Sequence, residues 1–509
     1  MHRLAFWRTH RWLLLFLVVL LAVGTFLRFY NLRDSLMFQG DQGRDVLVVS
    51  EVFKHLDPVF IGPVTSIGNM YLGPFYYYFM LPFLWLTYPD PMGPVYAVAA
   101  LSVLSIGLLF YVALRLFSKR VAITASIFFT LSAAAVTLSR FSWNPNLAPF
   151  FSIIMLYGSY MAWHRSPRYW LLVALAFSLL VQLHYVTLLA GAAAGLIFVW
   201  QLFRQVKQRR QLLINGALSV LIFIFSFTPL VLFDIKHDGL NLRNFLSIMT
   251  EKESFDLQRK QDRRGVATVY KFFNTDLKEK SSQVLFETSF GVHPINHPLL
   301  LLTLLGTAAY LWRRRGKLPT AEWMLLTYLG VGIIGISLYQ HDIYEHYIAY
   351  LFPLVFLFYA LLLSKIRPRF LQLFLTSAMI TYFAINNAGR WPLQSQDWTI
   401  DDMQRTALEI ESRVAAGEKY NIVLLAPSKD LYGMNYRYFL HTLDQTPVAL
   451  EDHRLADKLF VINEEGVEID VLALDIYEVV VFEDKYISDE FQIEGGPHIT
   501  VLSKTDKAL

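Results

Sequence analysis

The sequence contains no cysteine, and only 17% of its 509 residues are Asp, Glu, Lys or Arg, against about 25% in an ordinary soluble domain. Without thiols there is no disulfide scaffold, no thiol nucleophile and no Cys-ligated metal. So little charge excludes a soluble enzyme, a disordered chain and a nucleic-acid-binding protein. Apolar residues take the space instead: 55% are hydrophobic, among them 40 Phe, 27 Tyr and 11 Trp. Such a chain dissolves mainly in lipid.

Charge-poor runs long enough to span a bilayer begin with Trp12 to Leu27, after Arg3, Arg8 and Arg11. No cleavage-site pattern follows, so an uncleaved first helix is expected. Further runs are 94–114, 121–138, 147–163, 211–233, 298–312, 323–339, 347–364 and 370–387. The run from Tyr169 to Phe203 is too long for one crossing: its 35 residues would extend about 52 Å as a helix, against an apolar core of about 30 Å. It must fold back, and Leu183-His184-Tyr185-Val186 is the expected turn. Eleven spans result.

The positive-inside rule tests this topology. With the N-terminus cytoplasmic, the inside segments hold 19 basic residues and one acid, Glu322, leaving 26 basic and 40 acidic residues outside. Counting Tyr71 to Tyr88 as a span would put Arg115, Lys119 and Arg120 outside, so it reads as a juxtamembrane or re-entrant helix. The expectation is therefore a polytopic α-helical protein of the plasma (inner) membrane, with residues 1–388 as the membrane module. Its outer face carries a first loop, 28–93, and a charged loop, 234–297. Residues 389–509 read as a small extracytoplasmic α/β domain, with helical patterns at 400–416 and 435–443 and strand-like runs at 421–425, 459–462, 479–482 and 499–502.

Ionisable groups beside a membrane core are costly and point to function. The densest cluster follows the first span: Arg28-Phe29-Tyr30-Asn31-Leu32-Arg33-Asp34, then Phe38-Gln39-Gly40-Asp41-Gln42-Gly43-Arg44-Asp45. Asp41 lies between glycines that permit a sharp turn. If a helix begins there, Asp45 shares its face. A plainer alternative makes Asp41 a helix N-cap and pairs Asp45 with Arg44 or Arg28.

This pattern, continued by the aromatic segment Gly73-Pro74-Phe75-Tyr76-Tyr77-Tyr78, resembles the C-type membrane glycosyltransferases, within them the protein O-mannosyltransferase and lipid A aminoarabinose transferase group. The resemblance covers most of the chain and is firmest to about Trp200. It implies transfer of a sugar, hexose or pentose, from a polyprenyl-phosphate donor to an acceptor protein, lipid or glycan at the outer face. Asp41 matches the carboxylate of the first outer loop; Asp45, the second catalytic candidate, is assigned to supporting Arg44 or an ion. Such chemistry needs a base for the acceptor hydroxyl, and cations, either Arg/Lys forks or a divalent metal, for the leaving phosphate.

Two departures stand out. Where relatives often carry an Asp in the second outer loop, this chain reads Ser139-Arg140-Phe141-Ser142-Trp143-Asn144-Pro145-Asn146, and a Lys-Pro-Pro before the aromatic segment is replaced by Met70-Tyr71-Leu72-Gly73-Pro74. Arg140 becomes the main phosphate candidate; a lipid-headgroup anchor is the alternative. Further candidates for substrate contacts are Arg28, Arg44, Asn144, His184, Lys236, His237 and the cluster His341, Tyr344, His346 and Tyr347. That last cluster could also hold a metal, although its spacing matches no strong motif. A transporter or flippase, and a scaffold presenting the acidic tail, are the competing readings; transporters favour polar groups in broken helices at mid-membrane.

Overall fold

The computed structural model describes residues 11–65, 70–250, 276–287, 297–314, 317–339, 343–426, 432–466 and 468–505. Arg3, Arg8, Arg315 and much of the charged loop lie outside them. The chain enters as α1 (Arg11–Phe29), α2 (Gly40–His55) and α3 (Phe75–Thr87), followed by α4 (Met92–Leu116), α5 (Lys119–Leu131) and α6 (Ala133–Leu138). Next come α7 (Ala148–His164), α8 (Tyr169–Leu183), α9 (Leu188–Arg204), α10 (Arg209–Ser226), α11 (Thr228–Lys236), α12 (Leu240–Thr250) and α13 (Leu277–Ser282). The helical part closes with α14 (His297–Arg314), α15 (Thr320–Ser337), α16 (Phe352–Ser364) and α17 (Arg369–Ala388).

This is a polytopic membrane protein. Helix stands at each of the ten charge-poor runs, and among the described residues six helical stretches are long and apolar enough to cross a bilayer by themselves. The long run folds back where expected: α8 stops at Leu183 and a tight turn at 185–187 leads into α9. The 71–88 stretch forms α3, a helix of 13 residues. The 121–138 run is interrupted at Ser132, where the Ala133 amide donates to Asn387 Oδ1 on α17 at 2.7 Å. Across the bundle, Phe128 packs between Phe356 and Phe383.

Buried polar groups hold the bundle at chosen points. Arg28 is fully buried near the end of α1. Its guanidinium donates to Ser102 Oγ at 2.8 Å and to the Gly24, Thr130 and Phe129 carbonyls at 3.3 to 3.4 Å. Glu322 on α15, the lone acid of the basic face, accepts from Lys365 Nζ at 2.7 Å and from the Tyr310 hydroxyl.

The C-terminal domain is a four-stranded mixed sheet in the order β1-β2-β4-β3. It contains α18 (Ile400–Glu411), β1 (Tyr420–Leu425), α19 (Met434–Leu440), β2 (Lys458–Asn463), α20 (Tyr477–Val480), β3 (Lys485–Gln492) and β4 (His498–Lys504). A Thr399/Asp402 capping box starts α18. Two sequence expectations fail here. The apolar 479–482 run, expected as a strand, begins in the helical turn α20, with Val479 and Phe482 buried against the sheet. The missed strand is β3, a mostly exposed edge with a register shift between Ile487 and Asp489. Exposed along nearly its whole length, this edge strand has no buried face to impose an alternating apolar pattern.

This domain docks onto the loop 28–93. Arg33 reaches both Asp90, at 2.8 Å, and Asp401; the Gln396 amide donates to the Asp34 carbonyl at 2.8 Å; and the Tyr438 hydroxyl donates to the Pro89 carbonyl at 2.9 Å. The tightest approach is at Gly43, where an added Cβ would lie 2.3 Å from the Met434 carbonyl oxygen. Glycine there lets α2 press against the start of α19.

Candidate active site

Gln39, in extended conformation, caps α2, so Asp41 falls in the first turn and Asp45 one turn later. Their environments differ sharply. Asp41 has a half-exposed side chain, whereas that of Asp45 is fully buried. Arg44 joins them: its Nη1 donates to Asp41 Oδ1 at 2.8 Å, and its Nε and Nη2 donate to Asp45 Oδ1 at 3.0 and 2.8 Å. The Tyr77 hydroxyl, from α3, donates to the same oxygen at 3.1 Å. Asp45 Oδ2 is buried with no hydrogen-bond partner among the described residues. Burial raises the Asp45 carboxyl to about 6 even though Arg44 pulls the other way. Of the plainer alternatives, the Arg44 pairing is present; the Asp41 N-cap and the Arg28 pairing are not.

From Asp45 a chain of contacts leads to the second outer loop. The Tyr77 ring lies beside Tyr76, and the Tyr76 and Ser142 hydroxyls are 2.7 Å apart. Next in sequence, Trp143 packs on His346 with centroids 4.3 Å apart. His346 meets Tyr347 edge-on at 4.5 Å, Tyr347 meets His184 at 4.7 Å, and Tyr344 stacks on His346 at 5.8 Å. Four of the expected residues, His184, Tyr344, His346 and Tyr347, therefore form one aromatic cluster. Burial, reinforced by His346, pushes the His184 imidazole down to about 3, so it is neutral at physiological pH. His341 lies outside the described residues.

A family described as dolichyl-phosphate-mannose-protein mannosyltransferase matches residues 73–230. The whole chain superposes on ArnT from Cupriavidus metallidurans bound to undecaprenyl phosphate, with TM-score 0.60 and 13% identity over 97% of this chain and 98% of that one. The Archaeoglobus fulgidus oligosaccharyltransferase in complex with Zn and sulfate superposes with TM-score 0.55 and 14% identity over 88% of this chain and 68% of that one. No curated protein gives a significant match. The chain has the C-type glycosyltransferase fold.

Within that fold several expected substrate contacts have other work. Arg28 is enclosed by Ser102 and backbone carbonyls and pairs with neither Asp41 nor Asp45. Arg140 donates to the Leu27, Tyr30 and Asn31 carbonyls at 2.9, 2.8 and 3.4 Å and to Ser35 Oγ. The Leu27 and Tyr30 carbonyls lie at the end of α1 and in the turn after it, where helical donors run out; the Asn31 carbonyl also accepts from the Ser35 amide and hydroxyl. Arg140 thus caps α1, and it is buried rather than open to a headgroup. Asn144 Nδ2 donates to the Leu183 carbonyl at the end of α8. A carboxylate could not donate that bond. Lys236 is exposed at the end of α11, and His237 folds back onto its own helix, its ring 4.1 Å from that of Phe233.

Two residues were missed by sequence reasoning. Trp143 was part of a quoted motif without a role, and Arg390, just past α17, lies 3.9 Å from Glu345 beside the aromatic cluster. A cation after the last span is legible in the sequence; its partner some 45 positions earlier is not. Among the described residues no three His, Asp or Glu side chains converge as metal ligands. Between Asp41 and Asp45 the neutralising cation is Arg44.

Proposed function

We propose that the protein is a glycosyltransferase that moves a sugar from a polyprenyl-phosphate donor to an acceptor hydroxyl at the outer membrane face, with inversion and with Asp41 as general base. The observation that carries this reading is the half-exposed Asp41 carboxylate, held at Oδ1 by Arg44 while Oδ2 has no hydrogen bond among the described residues. In the reaction the acceptor oxygen bonds to the anomeric carbon as the bond to the phosphate oxygen breaks. The electron pair leaves with the phosphate, and Asp41 takes the acceptor proton. One displacement needs one base and no second nucleophile.

The association of ArnT with undecaprenyl phosphate and the mannosyltransferase match support a lipid-linked donor. An apolar groove of about 300 Å³, lined in part by Val186, Leu189, Ile336, Tyr339 and Tyr347, suits its tail and shares Tyr347 with the aromatic cluster. The charge distribution supports a cytoplasmic N-terminus and an outer C-terminal domain, with residues 1–388 as the membrane module and 389–509 as its cover. Polar clusters at helix ends favour a transferase over a transporter, whose sites lie at mid-membrane.

The test is Asp41→Asn, which keeps size but cannot take the proton. Transfer should fall by about 10² to 10⁴ while binding of the polyprenyl-phosphate sugar persists. Near wild-type turnover in the folded variant would remove the base assignment.

A further inference from the structure

The aromatic cluster is built unlike a core. Its members come from three separate segments: the second outer loop, the turn after α8 and the 3-10 stretch Glu345–Leu351 that leads into α16. Trp143, His184, His346 and Tyr347 are half-buried rather than sealed. Their faces pack on one another, yet their polar edges are left over. Among the described residues, no hydrogen bond engages the Trp143 indole N–H, the Tyr347 hydroxyl or either His346 nitrogen. His184 uses only Nδ1, as acceptor for the Val186 amide at 3.2 Å. Ring faces with unused donors and acceptors at their rims match a sugar ring, which has apolar C–H faces and hydroxyls around its edge.

Position agrees with chemistry. On one side Tyr76, Tyr77 and Ser142 connect the cluster to Asp45. On the other, Tyr347 opens onto the apolar groove. A sugar seated between them would have its lipid chain in the groove and lie on the Asp41 side. We propose that Trp143, His184, His346 and Tyr347 form the seat of the transferred sugar and that this sugar carries no charge; the assignment rests on the transferase reading. The charge balance among the described residues favours an uncharged sugar. Glu345 is matched by Arg390, and Asp41 and Asp45 share Arg44, so none of these acids is a spare partner for an aminosugar. Arg44 and Arg390 are committed to those acids in turn, and none of the four ring residues carries a guanidinium or ammonium, so a uronate finds no uncommitted cation among them.

Binding to the full-length protein in nanodiscs tests this with four probes: undecaprenyl phosphate alone, and undecaprenyl phosphate carrying a neutral hexose, a uronic acid or an aminosugar. The wild type should bind the neutral-hexose carrier roughly tenfold more tightly than the bare carrier, the effect of about 1.4 kcal/mol. Trp143→Ala should erase that increment and leave bare-carrier binding within about twofold, while Trp143→Phe, which keeps a ring face, should restore most of it. Equal losses for sugar-bearing and bare carriers in Trp143→Ala would overturn the seat. Tighter binding of a charged-sugar carrier would overturn the uncharged class. Failure of the wild type to bind any carrier would overturn the transferase reading and this assignment with it.

Discussion

Arg44 and Asp45 are neighbours in the chain and also an ion pair, with two guanidinium nitrogens on a single carboxylate oxygen. The second oxygen stays buried and bare, and burial lifts the carboxyl to about 6. A folded-state value above the unfolded one means that the folded protein holds the extra proton between about pH 4 and 6. Stability from this group is therefore greatest in acid and declines as pH rises to 6, by about 3 kcal/mol in total. Asp45→Asn should remove that decline. Thermal unfolding of wild type and variant from pH 4 to 8 checks it: curves that remain parallel would show that Asp45 is already ionised at the low end.

Arg140→Ala should weaken the fold rather than the grip on the donor. The substitution strips donors from the Leu27 and Tyr30 carbonyls at and just beyond the end of α1, and stranded buried acceptors cost about 1 to 3 kcal/mol each; some will find water. A fall in unfolding temperature with unchanged affinity for polyprenyl phosphate is expected. The reverse result would return Arg140 to the phosphate site.

Gly43→Ala sets two effects against each other. Alanine favours the helix by about 1 kcal/mol, but its Cβ would meet the Met434 carbonyl carbon and oxygen at 2.4 and 2.3 Å, and backbone cannot swing aside as a side chain can. Overpacking costs about 1 to 3 kcal/mol and should win. Limited proteolysis should then cut the C-terminal domain faster while the membrane helices resist as before. Unaltered cutting would mean that this contact does not hold the domain down.

Glu322→Gln removes a charge that Lys365 and Tyr310 both use. Breaking a buried pair costs about 3 to 5 kcal/mol; Lys365 keeps some solvent access, so the lower end is expected. Glu322→Gln with Lys365→Met should recover part of the loss, and thermal unfolding of the single and double variants measures it. No recovery in the double variant would point to the Tyr310 bond instead.

Much of this arrangement is legible in the sequence because lipid imposes a coarse rule on charge. The basic clusters bracket the helical runs, and the length of 169–203 alone demands the turn at His184. The acid pair was also legible, since Gly40 and Gly43 flank Asp41 in a short span. Cations were harder. Arg28 and Arg140 at a helix exit look like phosphate ligands, but a sequence does not display the orphan carbonyls that claim them. Asn144 looked like a lost acid for the same reason: the Leu183 carbonyl it serves is distant in the chain. Trp143 and Arg390 find their partners only through the fold, as does the exposed strand β3.

The contact between Gly43 and Met434 also sets an order of events in biosynthesis. About 390 residues separate the two, and at roughly 5 to 20 residues per second the ribosome needs on the order of 20 to 80 s to make that stretch. For all that time the acid helix exists without its roof. The contacts among Asp41, Arg44, Asp45 and Tyr77 are complete once α3 is made, but the face of α2 at Gly43 is covered only after the last domain has folded, so a truncated product, however well embedded, leaves that face bare.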